Sequence, residues 1–229
     1  VYSGFVNIGY SSDATMRIFN KVTDLASDQN FNREAEVRVN EAFELEVKNL
    51  DYTYPGHTDP AIENLSFTFS SGRLNYLVGQ SGSGKSTVCD LITGLLSSSD
   101  SMIAFKSLNN GAPLKPIVRY IPQDSFLMTG SVAFNLLGTE VLSETKLQRA
   151  RQLLSAFSLA KGKLDADQIL GTEVKEFGRN FSGGQKQRLA IIRGLLQEAN
   201  VLVLDESFSA LDDSNSRSVL QELEKELKP

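Results

Sequence analysis

The chain has 229 residues, enough for one sizeable core and an appendage, with 23 basic against 28 acidic side chains and a net charge of −5. That balance excludes a global basic field for gathering nucleic acid, and no run of about 20 apolar residues is present to read as a membrane span. The single cysteine, Cys89, excludes an internal disulfide, fits a reducing compartment, and reads as a small buried side chain rather than a reactive thiol.

Residues 1–40 differ in texture from the rest of the chain. Ala14, Ile18, Val22 and Leu25 recur at near-helical spacing, with Arg17, Lys21 and Asp24 between them, which predicts an amphipathic helix without a core of its own. Ser27 to Asn40 is polar and charged, a linker by composition. Phe43 to Leu50 alternates apolar and charged residues, as a half-buried strand does, before Pro55-Gly56 turns the chain. Ile62, Leu65, Phe67 and Phe69 carry a second strand, so an antiparallel β layer is expected here. His57, the one histidine, sits beside the Pro-Gly turn and reads as a solvated loop residue.

Leu74 to Val78 is β-prone and predicts the strand that feeds a glycine-rich loop; Val88, Leu91, Ile92 and Leu95 after that loop predict a helix. Short strands are expected at Met102–Phe105 and Ile117–Ile121. From Ser125 to about Ala199 the pattern is mainly helical: Leu147, Ala150, Leu153, Leu154 and Phe157 make one apolar face, and Leu189, Ile192, Leu195 and Leu196 another. Val201 to Leu204 is continuously apolar, the pattern of a central parallel strand buried on both faces. Val219, Leu220, Leu223 and Leu227 give a last helix, stopping at Pro229.

Three stretches carry chemistry. Gly79-Gln80-Ser81-Gly82-Ser83-Gly84-Lys85-Ser86-Thr87 fits G-x-x-x-x-G-K-[ST], the phosphate-binding loop, between a predicted strand and a predicted helix. Its glycines let the backbone approach phosphate closely, Lys85 is expected to bridge the β- and γ-phosphates, and the Ser86 hydroxyl to ligate Mg²⁺. Asp205-Glu206 comes directly after the apolar strand, at the strand end where parallel sheets bind ligands. Asp205 is placed there to hold Mg²⁺ through a water, and Glu206 to take a proton from the water attacking the γ-phosphate. Phe181-Ser182-Gly183-Gly184-Gln185 is a second phosphate-binding helix start, with Ser182 suited to N-capping. Two chains arranged head to tail would use both glycine-rich sites on one nucleotide.

Through these motifs the chain from Phe43 onward resembles the nucleotide-binding domain of an ABC transporter, and the motifs come in that family's order. Phe181-Ser182-Gly183-Gly184-Gln185 is similar to the family signature, which usually begins with Leu. The resemblance implies that Tyr54, with Tyr52 as a competitor, stacks on adenine. It implies that Gln123, in Tyr120-Ile121-Pro122-Gln123-Asp124, joins the Mg²⁺ shell and senses the transmembrane partner. Ser209-Ala210-Leu211-Asp212 resembles the loop that crosses the dimer interface. Thr172 to Gly178, containing Glu176, resembles the exporter-type segment that contacts transmembrane coupling helices, and Ser12 to Phe19 the cytoplasmic extension of a last transmembrane helix.

The expected fold is therefore α/β: a P-loop (RecA-like) parallel sheet with an antiparallel β layer and a mainly helical signature subdomain. Residues 1–40 are expected to be a membrane-proximal helix and linker, and 41–229 an ATP-binding cassette domain ending before the family's switch histidine, for which His57 cannot substitute. The expected activity is binding of Mg²⁺ and ATP between two such domains, in a homodimer or a heterodimer, and hydrolysis that drives export from the cytoplasmic face of a membrane. No nucleic-acid partner is expected. The competing readings are a soluble ABC ATPase of DNA repair or translation, and a nucleotide-binding regulatory module with little turnover.

Overall fold

A computed structural model describes residues 39–97, 102–123, 125–138, 143–205 and 213–226. The expectations for residues 1–38, for Glu206 and for the Ser209–Asp212 loop lie outside the described residues.

Four strands, β1 (Phe43–Tyr52), β2 (Ile62–Ser70), β3 (Ile103–Ser107) and β4 (Pro113–Leu114), form an antiparallel sheet in the order β2-β1-β3-β4. The alternation in β1 turns Phe43, Leu45 and Val47 inward. On its other face Glu46 forms ion pairs with Lys48 at 2.6 Å and with Lys106. Beneath the sheet Leu45, Val47, Leu50 and Ile62 pack on Val88, Leu91 and Ile92 of helix α1 (Lys85–Ile92). That helix stops short of the expected Leu95. The Thr93 hydroxyl donates to the carbonyls of Cys89 and Asp90 at 2.9 and 3.1 Å, and Gly94 turns left-handed behind it.

The second half is helical and packs on a parallel pair, β5 (Val118–Ile121) with β8 (Val201–Leu204), in register from Val118 opposite Val201 to Ile121 opposite Leu204. Its helices are α2 (Val132–Leu137), α3 (Glu144–Ala156), α4 (Lys163–Gly171) and α5 (Gly183–Leu196), with α6 (Asp213–Glu226) last. The predicted face Ala150, Leu153, Leu154 and Phe157 is buried against Leu189 and Ile192 of α5. Val219 and Leu223 of α6 join the same core. Gly194 lets α5 lie close to the parallel pair, since a Cβ there would meet Leu202 Cδ2 at 2.7 Å and Ile121 Cδ1 at 3.2 Å. A two-residue antiparallel contact joins β6 (Gly130–Ser131) to β7 (Glu173–Val174).

β8 divides the two cores: Leu202 and Leu204 pack on the helical side, Val203 on the side of the antiparallel layer and α1. Among the described residues its ladder partner is β5, and all four of its residues are half-buried rather than enclosed on both faces as expected. Leu74 to Val78 differs further, for it forms no ladder at all. Leu74 packs on the helical core and Leu77 on the other, while Val78 is 90% exposed. Strand propensity measures fit to a neighbour, and β5 and β8 pair with each other, so the β-prone composition of this segment does not by itself produce a strand.

Residues 39–43 lace the two halves together. The Asn200 side chain donates to the Val39 carbonyl at 2.8 Å and accepts from the Val39 and Ile117 amides at 3.2 and 3.0 Å. Two residues on, the Glu41 carboxylate accepts from the Ser107 hydroxyl and the Asn109 amide at 2.6 and 2.9 Å, at the end of β3.

Candidate functional site

The phosphate loop closes on Gly84, which caps α1 in the left-handed region at φ 84° with no side-chain cap. The first-turn N–H groups of α1 thus have neither an intrahelical nor a side-chain acceptor, the arrangement that suits an anion. Gly82 is also left-handed, at φ 78°; Ser81, Gly82 and Ser83 of the loop are exposed, as is Ser86 in the first turn of α1. Lys85 reaches back over the loop, its ammonium donating to the carbonyls of Gly79 and Gln80 at 3.1 and 2.7 Å. Thr87 is buried and its hydroxyl shares a hydrogen bond of 2.9 Å with the Tyr54 phenol. Tyr52 stands edge-on to Tyr54, ring centres 5.1 Å apart, so both candidate aromatics are near the loop and Tyr54 is the one tied to it.

Asp205 comes directly after β8, its backbone N–H donating to the Ile121 carbonyl at 3.1 Å. Its Oδ2 accepts from the Tyr120 hydroxyl at 2.9 Å. Tyr120 lies opposite Val203, so the period of two puts Tyr120, Val203 and Asp205 on one face of the pair, toward α1. The charges confirm the neighbourhood. Burial pushes the Cys89 thiol up to about 12, and the Asp205 and Asp90 carboxylates add to the shift. The Tyr120 phenol is also raised, by burial first and then by its bond to Asp205. Cys89 is half-buried rather than enclosed as expected, and its raised pKa favours the neutral, less nucleophilic thiol.

The metal donors expected here are a serine hydroxyl, a carboxylate and an amide oxygen. Hard oxygen donors of this kind fit Mg²⁺, which keeps waters and phosphate oxygens for much of its shell. No cluster of three or more His, Cys, Asp or Glu occurs among the described residues.

The signature start is a capping box. Ser182 Oγ accepts from the Gln185 amide at 3.2 Å, and Gln185 Oε1 accepts from the Ser182 amide at 2.8 Å. The Gln185 side chain thus serves its own helix, whereas Ser182 and Gly183 are exposed at the tip. α5 belongs to the helical core and α1 to the other.

Gln123 is exposed just past β5. Beyond it Phe126 is 52% exposed and meets Phe177, 47% exposed, with ring centres 6.4 Å apart. The segments around Gln123 and Glu176 are thereby brought side by side. Lys186 of α5 donates to the Phe177 carbonyl at 3.2 Å, and Ser125 Oγ lies 3.3 Å from Oε1 of the buried Gln187. Both contacts run from these segments to the signature helix.

A family profile described as ABC transporter matches residues 62–209, well over half of the chain. The chain belongs to the ABC transporter family. It is 34% identical over 215 residues to the ATP-dependent lipid A-core flippase of Photobacterium profundum, covering 90% of this chain and 36% of that protein. The flippases of Salmonella typhimurium and Escherichia coli K12 are each 35% identical over 191 residues, covering 80% of this chain and 32% of theirs. A bacterial Atm1-family ABC exporter solved with ATP bound superimposes with a TM-score of 0.65 at 26% identity, over 84% of this chain and 34% of that one. The chain thus spans about a third of the length of the curated relatives it matches. In this ABC domain the expected α/β class, with its parallel pair, antiparallel layer and helical signature half, is what the fold shows.

Motif and spacing arguments collect the loop, Asp205 and the signature, and the family resemblance adds Tyr54 and Gln123, but neither gives Tyr120 a role of its own. A signal existed: once β5 and β8 are paired in parallel, Tyr120 and Asp205 are diagonal neighbours on one face, within reach of an aromatic side chain.

Proposed function

We propose that this chain is the ATP-binding and ATP-hydrolysing domain of an ABC exporter, acting at the cytoplasmic face of a membrane. The observation that carries this reading is that the uncapped helix α1, which begins at Lys85, and the Asp205 strand end lie on the same side of the parallel pair, with Asp205 close enough to α1 to act on Cys89. No helix among the described residues is long and apolar enough to cross a membrane. The flippase relatives and the Atm1-family neighbour support an exporter over a DNA-repair or translation ATPase.

In this reading the loop amides and Lys85 hold the phosphates, and Tyr54 stacks on adenine. Bound Mg²⁺ would screen the phosphate charge, and Ser86, Asp205 and Gln123 are the residues that would hold it. Glu206 accepts a proton from the attacking water. Ser182, Gly183 and Gly184 of one chain complete the loop of a second, head to tail; the exposure of Ser182 and Gly183 on the other core supports a partner's nucleotide as their ligand. ATP favours that closed pair because its phosphates gain contacts from both chains only there. The adjacent Phe126 and Phe177 offer an apolar contact for coupling helices near Gln123 and Glu176.

Two variants test the assignment. Lys85→Ala removes a charge-assisted contact worth about 1.5–3 kcal/mol, so ATP affinity should fall about 10- to 100-fold. Glu206→Gln should keep that affinity and lose about 10²–10⁴-fold in turnover. An unchanged ATP titration for the first, or normal hydrolysis by the second, would overturn the corresponding role.

A further inference from the structure

Tyr120 stands next to the proposed metal carboxylate and lies outside the glycine loop. Its hydroxyl reaches Asp205 Oδ2 at 2.9 Å across the parallel pair, from the strand whose Ile121 carbonyl also accepts the Asp205 amide at 3.1 Å. Asp205 is therefore held at two points by consecutive residues of β5, one at its backbone and one at its side chain. A carboxylate's terminal torsion is broad and roughly two-fold, so a hydrogen bond at the backbone does not by itself orient its oxygens. A phenol on a β-strand has two torsions of its own, and this one stands in a four-residue ladder. It can fix the plane in which the carboxylate presents its oxygens. The face it occupies is shared with α1, on which Ser86 and Lys85 begin the phosphate site.

We propose that Tyr120 is a positioning residue for the divalent cation: by donating to Asp205 Oδ2 it sets the orientation of that carboxylate, and with it the metal affinity of the nucleotide-loaded site. This rests on the assignment of Asp205 to the metal. Hydrogen-bond partners of ligating groups orient them, and their loss typically costs about 10- to 100-fold in metal affinity. The proposal gives Tyr120 no contact of its own with the nucleotide, so binding of ATP without metal should be independent of it.

The test is Tyr120→Phe in the full 229-residue chain, which deletes one hydroxyl and keeps the ring. Free Mn²⁺ is followed by electron paramagnetic resonance in a titration of protein saturated with a non-hydrolysable ATP analogue. ATP affinity is measured separately in EDTA. The expected result is Mn²⁺ affinity lower by about 10- to 100-fold, with metal-free ATP affinity and the circular dichroism spectrum unchanged. Tyr120→Met also lacks the donor and gives the same readout if the Phe variant does not fold. Unaltered Mn²⁺ affinity in a folded variant overturns the proposal, as does an equal loss in the EDTA titration, which would mark a structural role. Asp205→Asn run in parallel separates the two claims. If it too leaves Mn²⁺ affinity unchanged, the assignment of Asp205 has failed; if it alone weakens Mn²⁺, only the role of Tyr120 has.

Discussion

Two glycines of the phosphate loop share a backbone conformation but differ in surroundings, and alanine at each separates strain from collision. Gly84 has φ 84°, and a Cβ there would lie 2.7 Å from the Ala61 carbonyl oxygen at the entry to β2. Gly82 has φ 78°, and a Cβ there meets nothing within 4 Å. An L-residue in the left-handed region costs about 1–2 kcal/mol, which is the whole expected loss for Gly82→Ala. At Gly84 the carbonyl is backbone and must move, and such overpacking adds about 1–3 kcal/mol, for a total of about 2–5 kcal/mol. Urea unfolding of the wild type and both variants, with slopes compared to confirm a common transition, reads the difference directly. ATP affinity should fall more for Gly84→Ala as well, because displacing Gly84 tilts the first-turn amides of α1. Equal losses for the two variants would refute the close approach of Ala61, and no loss in either would refute the left-handed loop.

Buried groups supply two more tests. The Cys89 thiol, raised from 9.0 to about 12, should be alkylated by iodoacetamide at pH 8 about 1,000-fold more slowly than in the unfolded chain, from the ratio of thiolate fractions. Because the folded state favours the neutral thiol, its stability cost is absent below pH 9 and grows as pH rises toward 12; a native rate near the unfolded one would contradict the burial. Asn135 is buried, accepts from the Met128 amide at 2.7 Å and donates to the Met128 and Ser131 carbonyls at 2.8 and 3.1 Å, bracing the loop that carries Phe126. Asn135→Ala should destabilise by about 2–4 kcal/mol in the same urea assay through the groups left unpaired; a loss under about 0.5 kcal/mol, an ordinary surface value, would show the loop is braced elsewhere.

The parts of this molecule that the sequence made legible are those specified locally. The phosphate loop, the signature capping box and the alternating β1 each depend on residues a few positions apart, where spacing translates directly into geometry. What escaped depends on partners far along the chain. Leu74 to Val78 has strand composition but no ladder, and composition alone does not supply the neighbour that a ladder needs. Tyr120 and Asp205 are separated by 85 positions and meet only through the register of a parallel pair. The contact between Phe126 and Phe177 joins segments that flank the β6–β7 pairing, and no periodicity announces a two-residue bridge. Gln185 shows the converse: a residue read as a nucleotide contact is engaged in capping its own helix.

The lacing at residues 39–43 has a mechanical consequence. Asn200 Oδ1 accepts from Val39 and from Ile117 together, so a load applied upstream of Val39 is delivered to the feet of β5 and β8 at the same point. Glu41, two residues later, passes whatever remains to the end of β3. The strands loaded at their feet are those that carry Tyr120, about 10 Å from Ile117, and Asp205, about 16 Å from Asn200, toward their other ends at the rise of a β-strand. A pull from the N-terminal side is thus shared between two layers before any single rung of either sheet bears it alone. Any twist it imposes is resisted at one end of the parallel pair while the nucleotide loop stands at the other.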